Sequence, residues 1–238
     1  MEKTIRLDIP AERASFYKWA AALALITIIY NFAEGAVSVI FGARDGTVSL
    51  FGFGLDSFVE VISGIGIWHM VRRMRQNGPE SEDDFEKTAL RVTGAGFYML
   101  TFGLVITSAL NIYKGHKPDT TFWGIIVSVF AIFAMWTLIH YKEKAGRRFN
   151  SRALMADAAC SRTCLYLSLV LLAASIGYEL TGMGLLDSLG ALGIAVFSFK
   201  EGREAFGKAK GKPCGCGDYC QNLSQNSFRS ERERKSWQ

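Results

Sequence analysis

Six long apolar runs constrain this chain more than any other feature of its sequence. They cover residues 19–41, 49–71, 90–113, 121–141, 153–177 and 184–206, and the charged residues collect between them. A helix needs about 20 predominantly apolar residues to cross the hydrocarbon core of a bilayer. Because that core offers no water to backbone N–H and C=O groups, each run must pair them internally as an α-helix. The sequence therefore predicts an all-α membrane protein, a bundle of six transmembrane helices.

The distribution of Lys and Arg predicts the orientation of the bundle in the membrane. Basic residues crowd the N-terminal arm and the loops that follow the second and fourth runs, whereas the other loops carry few. Cytoplasmic loops are the positively charged ones, so we expect both termini in the cytoplasm. The first run lacks a small-residue cleavage site and is interpreted as a retained span. We expect a multi-pass protein of the cell (inner) membrane, with an arm over residues 1–18, a transmembrane domain over 19–206 and a tail over 207–238.

The tail is polar and cannot bury enough apolar surface to fold alone, which predicts a flexible segment. It contains Cys214, Cys216 and Cys220 among glycines. Three closely spaced thiols can hold one soft metal ion, and a cytosolic location would keep them reduced. The alternative is a flexible tail with inert thiols. We interpret the tail as a metal-capture or sensing arm.

Composition excludes two other classes of protein. The chain has only five cysteines, two in an apolar run and three in the tail. This is not the spacing of the disulfide framework of a small secreted protein. The formal net charge is +5, but the basic residues flank membrane segments and form no continuous stripe. We therefore expect no binding to nucleic acid.

The most informative residues are carboxylates inside the apolar runs, where an ionisable group costs about 2.5–3.5 kcal/mol on insertion scales. Asp56 and Glu60 lie four residues apart in the second run. This spacing places both carboxylates on one helix face, about one turn apart. Such a pair predicts a cation site. The alternative for Asp56 is a carboxylate that reaches the lipid headgroups from near the end of its span.

The fifth run repeats this spacing with Cys160 and Cys164, and Asp157 lies in the same stripe. Two helices that each present two donors could form a four-coordinate site between them. Zn²⁺ favours tetrahedral sites of Cys, His and carboxylate, and thiolates shift the preference towards softer ions such as Cd²⁺. The alternative for the cysteines is that they are small residues at a packing face.

Four other charged or polar residues lie within the runs. Asn31 and Glu34 share a face of the first run. They could be accessory residues of the site that handle protons, or they could link helices by hydrogen bonds. Arg162 is expected to pair with Asp157. Asp187, at the start of the sixth run, is expected to be a helix-start carboxylate favoured by the helix dipole.

These residues resemble the motifs of the cation diffusion facilitator family. The segment GLDSFVE (residues 54–60) resembles its second-helix motif, and ADAACSRTC (residues 156–164) resembles its fifth-helix stretch. In the latter, Cys160 stands at the usual His and Cys164 at the usual Asp. Residues 31–35 and the pair Leu186-Asp187 are similar to the family's first and sixth helices. The resemblance covers roughly residues 20–205.

The resemblance implies a transporter and not an enzyme. It implies export of Zn²⁺ or a related divalent ion, commonly in exchange for protons, with the metal as transported substrate and no permanently bound cofactor. We do not expect the folded cytoplasmic domain that is usual after the sixth helix, so we expect any homodimer to form through the membrane helices. A competing hypothesis is a non-transporting membrane protein that binds metal for sensing or assembly, because ligands alone do not demonstrate alternating access.

Overall fold

The computed structural model describes residues 11–77, 84–148 and 152–210, and within these residues the structure is six α-helices without a strand. The helices are α1 (Ala11–Asp45), α2 (Val48–Asn77), α3 (Asp84–Lys114), α4 (Phe122–Arg148), α5 (Arg152–Thr181) and α6 (Leu185–Ala209). Each predicted apolar run lies in its own helix, which confirms the six-helix bundle. The helices extend beyond the apolar runs at their polar ends. Thus α1 already begins inside the predicted N-terminal arm.

Five helices contain a segment long and apolar enough to cross a membrane: Lys18–Asp45, Val48–His69, Lys87–Lys114, Phe122–Lys144 and Ser161–Thr181. The helix α6 is not among them because it carries Asp187 in its first turn and Lys200 and Glu201 in its second half. Asp187 is buried against other helices, so this charge does not face lipid.

The bundle is built from three closely packed pairs, α1 with α2, α3 with α6, and α4 with α5. The helices α2 to α6 meet in one buried cluster that includes Leu50, Leu104, Ala131, Leu171 and Ile194. Large apolar side chains also cover the outside of the bundle, as a lipid-facing surface requires: Phe102, Phe130 and Phe133 are each about 70% exposed.

Close approach of α1 and α2 depends on glycines, as is common where membrane helices pack. A Cβ atom added to Gly54 would lie 2.8 Å from both the Ser38 Cβ and the Val39 backbone nitrogen. A Cβ atom on Gly35 would lie 3.0 Å from the Gly54 carbonyl oxygen. The two backbones therefore approach closely at the level of Glu34, and this sets the distance between α1 and the acidic face of α2.

A carboxylate from a different helix caps the N-terminus of α2. Asp187 of α6 accepts hydrogen bonds from the backbone N–H groups of Val48 (2.8 Å) and Ser49 (3.1 Å), and from the Ser49 hydroxyl. The first amides of a helix have no partner within the helix, and its dipole favours a negative charge there. Asp187 does begin its own helix as expected, but the sequence did not indicate that it would cap α2.

The N-terminus of α4 is capped in the same way. Glu179 of α5 accepts a hydrogen bond from the Thr121 backbone N–H (2.7 Å) and from its hydroxyl (3.0 Å). The backbone N–H of Asp119 also donates to the Asp45 carbonyl oxygen (2.9 Å). These bonds join the loops at the end of the bundle that is predicted to face away from the cytoplasm.

We expect Gly54→Ala to separate α1 from α2, because the added methyl would meet backbone as well as side-chain atoms. The matched control is Gly103→Ala, since a Cβ there has no neighbour within 4 Å. Thermal unfolding in detergent should show a lower melting temperature for Gly54→Ala. Gly103→Ala should be neutral or stabilising by up to about 1 kcal/mol, the helix-propensity difference. Equal melting temperatures for the two variants would contradict the close packing at Gly54.

Asp187→Ala should destabilise the bundle by about 1–3 kcal/mol, because it leaves the buried amides of Val48 and Ser49 without acceptors. The control is Asp119→Ala, which removes an exposed carboxylate. The same melting assay compares the two. A loss for Asp187→Ala no larger than that for Asp119→Ala would show that the cap contributes little.

Candidate metal site

The second helix places Asp56 and Glu60 on one face, as their spacing predicts. Asp56 is only 3% exposed, and its Oδ1 accepts a hydrogen bond from the Ser198 hydroxyl of α6 (2.7 Å). The Asp56 carboxylate is therefore directed into the bundle. It does not reach the lipid headgroups, which was the alternative interpretation of this residue. The two carboxyl groups are close enough to interact electrostatically.

Glu60 of α2 forms hydrogen bonds with residues of two other helices. Its Oε2 accepts a hydrogen bond from the Asn31 amide of α1 (2.9 Å), and its Oε1 accepts one from the Cys164 thiol of α5 (2.6 Å). Cys164 is buried, and among the described residues it forms no disulfide. The structure thus brings together one residue from each of the two pairs that the sequence singled out, an acid from α2 and a cysteine from α5.

Asn31 adds an oxygen atom that could bind a metal ion beside Glu60. Its side chain is 2% exposed, and among the described residues its Oδ1 atom has no hydrogen-bond partner. A buried carbonyl oxygen is seldom left unsatisfied in a folded protein, because the loss of hydration is not offset. An amide oxygen is also a ligand for divalent cations. Asn31 therefore both links α1 to α2 and offers a free oxygen close to Glu60.

Glu34 lies next to the predicted ligands and not among them. Its Oε1 accepts from the Tyr30 hydroxyl (2.6 Å) and its Oε2 from the Ser57 hydroxyl (3.1 Å). Ser57 immediately follows Asp56, so this network borders the acidic face of α2. Both carboxylate oxygens are bonded, which supports the role of a hydrogen-bonding link between α1 and α2 and leaves a role in proton handling open.

Sequence reasoning missed the hydroxyl partners of this site. Tyr30, Ser57 and Ser198 carry no charge, and such residues are common in membrane helices. Two of them had a local signal, because Tyr30 stands four residues before Glu34 and Ser57 is next to Asp56. Ser198 is 142 residues from its partner, and no local pattern connects the two.

Several predicted residues fall outside what the structure describes. Asp157 and Cys160 lie on α5, but their side chains are outside the described residues, as is the tail with its three cysteines. Arg162 pairs with Glu143 of α4. Its predicted pairing with Asp157 stays a prediction, because the Asp157 side chain lies outside the described residues.

Within the described ranges, no three His, Cys, Asp or Glu side chains are grouped closely enough to hold a metal ion. Glu60 and Cys164 are in contact, whereas the bonded oxygen of Asp56 faces Ser198 on α6. A four-ligand site would also need Asp56 and Cys160 to reach the same ion, and the Cys160 side chain lies outside the described residues. The metal role of these four residues stays a prediction.

Comparison with known proteins identifies the family. The sequence model of the cation efflux transmembrane domain matches residues 20–209, which include nearly all of the helical bundle. The search of curated proteins returned no match to this chain. The matched region includes α2 with its acidic pair and α5 with its cysteine pair. The chain therefore belongs to the cation efflux family of multi-pass membrane transporters, whose substrates are metal cations.

Proposed function

We propose that the protein carries a divalent metal ion, Zn²⁺ in the first place, through a site made of Asp56, Glu60, Cys160 and Cys164. The observation that carries this proposal is the contact between Glu60 of α2 and Cys164 of α5. It joins the two helices on which the sequence predicts ligands, at the position within each helix where the ligands are predicted.

The donor atoms favour Zn²⁺ or a softer ion. Two carboxylates and two thiolates form a tetrahedral set suited to Zn²⁺. Thiolates bind soft ions more strongly than carboxylates do, so Cd²⁺ is the second candidate. The free Oδ1 atom of Asn31 supplies an additional oxygen beside Glu60.

Proton exchange follows from the same contact. The hydrogen bond from the Cys164 thiol to Glu60 contains a proton that must leave before both atoms can bind one metal ion. Metal ligands bind in their deprotonated form, so loading the site releases protons. Protonation on the opposite side of the membrane would then release the metal and neutralise carboxylates that are costly in a bilayer.

Alternating access would require the two ends of the bundle to open in turn. At the end away from the predicted cytoplasmic side, Asp187 and Glu179 hold the N-termini of α2 and α4. Opening that end would move these helices relative to α5 and α6, as in the rocking of other secondary transporters.

We place the protein in the cell (inner) membrane, with the Cys214, Cys216 and Cys220 tail as a metal-capture arm. Any homodimer would form through the membrane helices. A membrane sensor that binds metal without moving it is the competing function, and the measurements below separate the two.

Asp56→Asn and Cys160→Ser should each abolish Zn²⁺ or Cd²⁺ flux, because each removes one anionic ligand of four. The assay is metal uptake into proteoliposomes that contain a fluorescent metal indicator. Asp119→Asn is the control, since it makes the same change on an exposed loop residue. Undiminished flux in both site variants would remove this site. Binding by the purified wild type without any flux would favour the sensor.

Metal uptake should be accompanied by proton movement in the opposite direction. In proteoliposomes with a pH indicator outside, addition of Zn²⁺ should acidify the medium, because protons leave as metal enters. An imposed gradient with an acidic lumen should increase the rate, and a proton ionophore should remove this increase. A rate that is independent of the gradient would exclude antiport while leaving transport itself intact.

A further inference from the structure

A groove of about 590 Å³ runs along the bundle between α2 and α3. Its lining extends from Val48 to Ile62 on α2 and from Gly96 to Asn111 on α3. At 1.5 Å per residue, each stretch is roughly 20 Å long. This is more than half of a hydrocarbon core about 30 Å thick. Met99 in the wall of the groove is 72% exposed, so the groove opens sideways, to the surroundings of the bundle.

The absence of side chains on two glycines shapes this groove. A Cβ atom added to Gly96 would lie 3.2 Å from the Val59 side chain, so α2 and α3 are in contact at that level. About two turns further along α3, a Cβ atom on Gly103 would have no neighbour within 4 Å among the described residues. The groove therefore has open space beside Gly103, where a larger side chain would fill it.

The polar groups of the groove share one end. Its apolar walls include Leu55 and Val59 of α2 and Met99 of α3. The side chains that can form hydrogen bonds lie towards the end predicted to face away from the cytoplasm: Thr47, Thr107, Asn111 and His116. A groove that is apolar along the membrane interior and polar at the membrane surface matches a molecule with an apolar chain and a polar head.

Exposed basic side chains stand at this polar end. Lys114 follows Asn111 by three residues on α3, so the two lie on nearly the same face of the helix. Arg44 stands among the lining residues at the end of α1 and is exposed, with only a 4.0 Å contact to Asp45. The exposed charged residues of this end are Arg44, Lys114, Lys117 and Asp119. The excess of positive charge favours an anionic headgroup.

We propose that this groove binds one anionic phospholipid of the leaflet that faces away from the cytoplasm. One acyl chain lies along α2 and α3 beside Gly103, because an apolar groove left empty would lose the dispersion contacts of its lining. The phosphate accepts hydrogen bonds from the Asn111 amide and the His116 imidazole, both of which have N–H donors. Lys114 supplies the opposite charge. The proposal is independent of the metal site.

Photo-cross-linking tests the position of the lipid. The probe is phosphatidylglycerol with a diazirine in one acyl chain, added to the full-length protein in phosphatidylcholine nanodiscs. Labelled peptides should come mainly from residues 48–62 and 96–111. Unlabelled phosphatidylglycerol should compete better than phosphatidylcholine with the same chains. Labels spread evenly over the six helices, or equal competition by the two lipids, would show only non-specific surrounding lipid and overturn the proposal.

Gly103→Leu fills the space that the acyl chain occupies. Its apparent affinity for the probe should fall about tenfold or more, because several CH₂ groups of the chain lose their burial. The control is Gly207→Leu, which makes the same change at a helical glycine that also has no neighbour within 4 Å but does not line the groove. Equal probe affinity in the two variants would contradict an acyl chain at Gly103.

Lys114→Gln tests the headgroup with a surface change that does not depend on packing. The preference for phosphatidylglycerol over phosphatidylcholine should fall about fivefold, the effect of one basic side chain at a membrane surface. Lys144→Gln, an exposed lysine at the predicted cytoplasmic end, should leave the preference unchanged. An unchanged preference in Lys114→Gln would overturn the proposal. So would a wild-type dimer that Gly103→Leu converts to a monomer, because a second copy of the chain would then fill the groove.

Discussion

A bilayer penalises each polar group that finds no partner inside the protein, and this penalty organises the bundle. The carboxylates within the helices are therefore bonded to neighbouring helices. Glu60 of α2 accepts from α1 and α5, Asp56 of α2 accepts from α6, and Glu34 of α1 accepts from α2. The acids that make the chain expensive to insert are also the residues that link its helices.

This double use has a consequence for the proposed transport. A metal ion could bind Glu60 and Cys164 together only after the proton of their hydrogen bond had left, whereas Asp56 could bind it and keep its bond to Ser198, because a carboxylate has two oxygens. Those bonds connect α2 to α6 and to α5. Loading of the site would then replace the hydrogen bond between α2 and α5 with bonds from Glu60 and Cys164 to the metal.

The two ends of the bundle differ in how their charges are used. At the end predicted to face away from the cytoplasm, Asp187 and Glu179 satisfy the first amides of α2 and α4. At the predicted cytoplasmic end, a cation is buried instead, with Lys142 bonded to Ser161. The two ends therefore differ in the type of ionisable side chain that bonds across helices, carboxylates at one end and a lysine at the other.

The sequence alone determined the features that depend on local periodicity and length. Apolar runs of sufficient length predicted six helices, and the four-residue spacing placed Asp56 and Glu60 on one face of α2, because both follow from helix geometry. The motifs also predicted the family, and the match over residues 20–209 confirmed it. Only the tertiary structure decided the partners across helices: Ser198 for Asp56, Asn31 for Glu60, α2 for Asp187, and Glu143 for Arg162. Burial of Lys142 belongs to the same group. Such contacts join residues far apart in the chain, and they depend on how the helices are rotated and packed, which hydrophobic patterns along single helices do not specify.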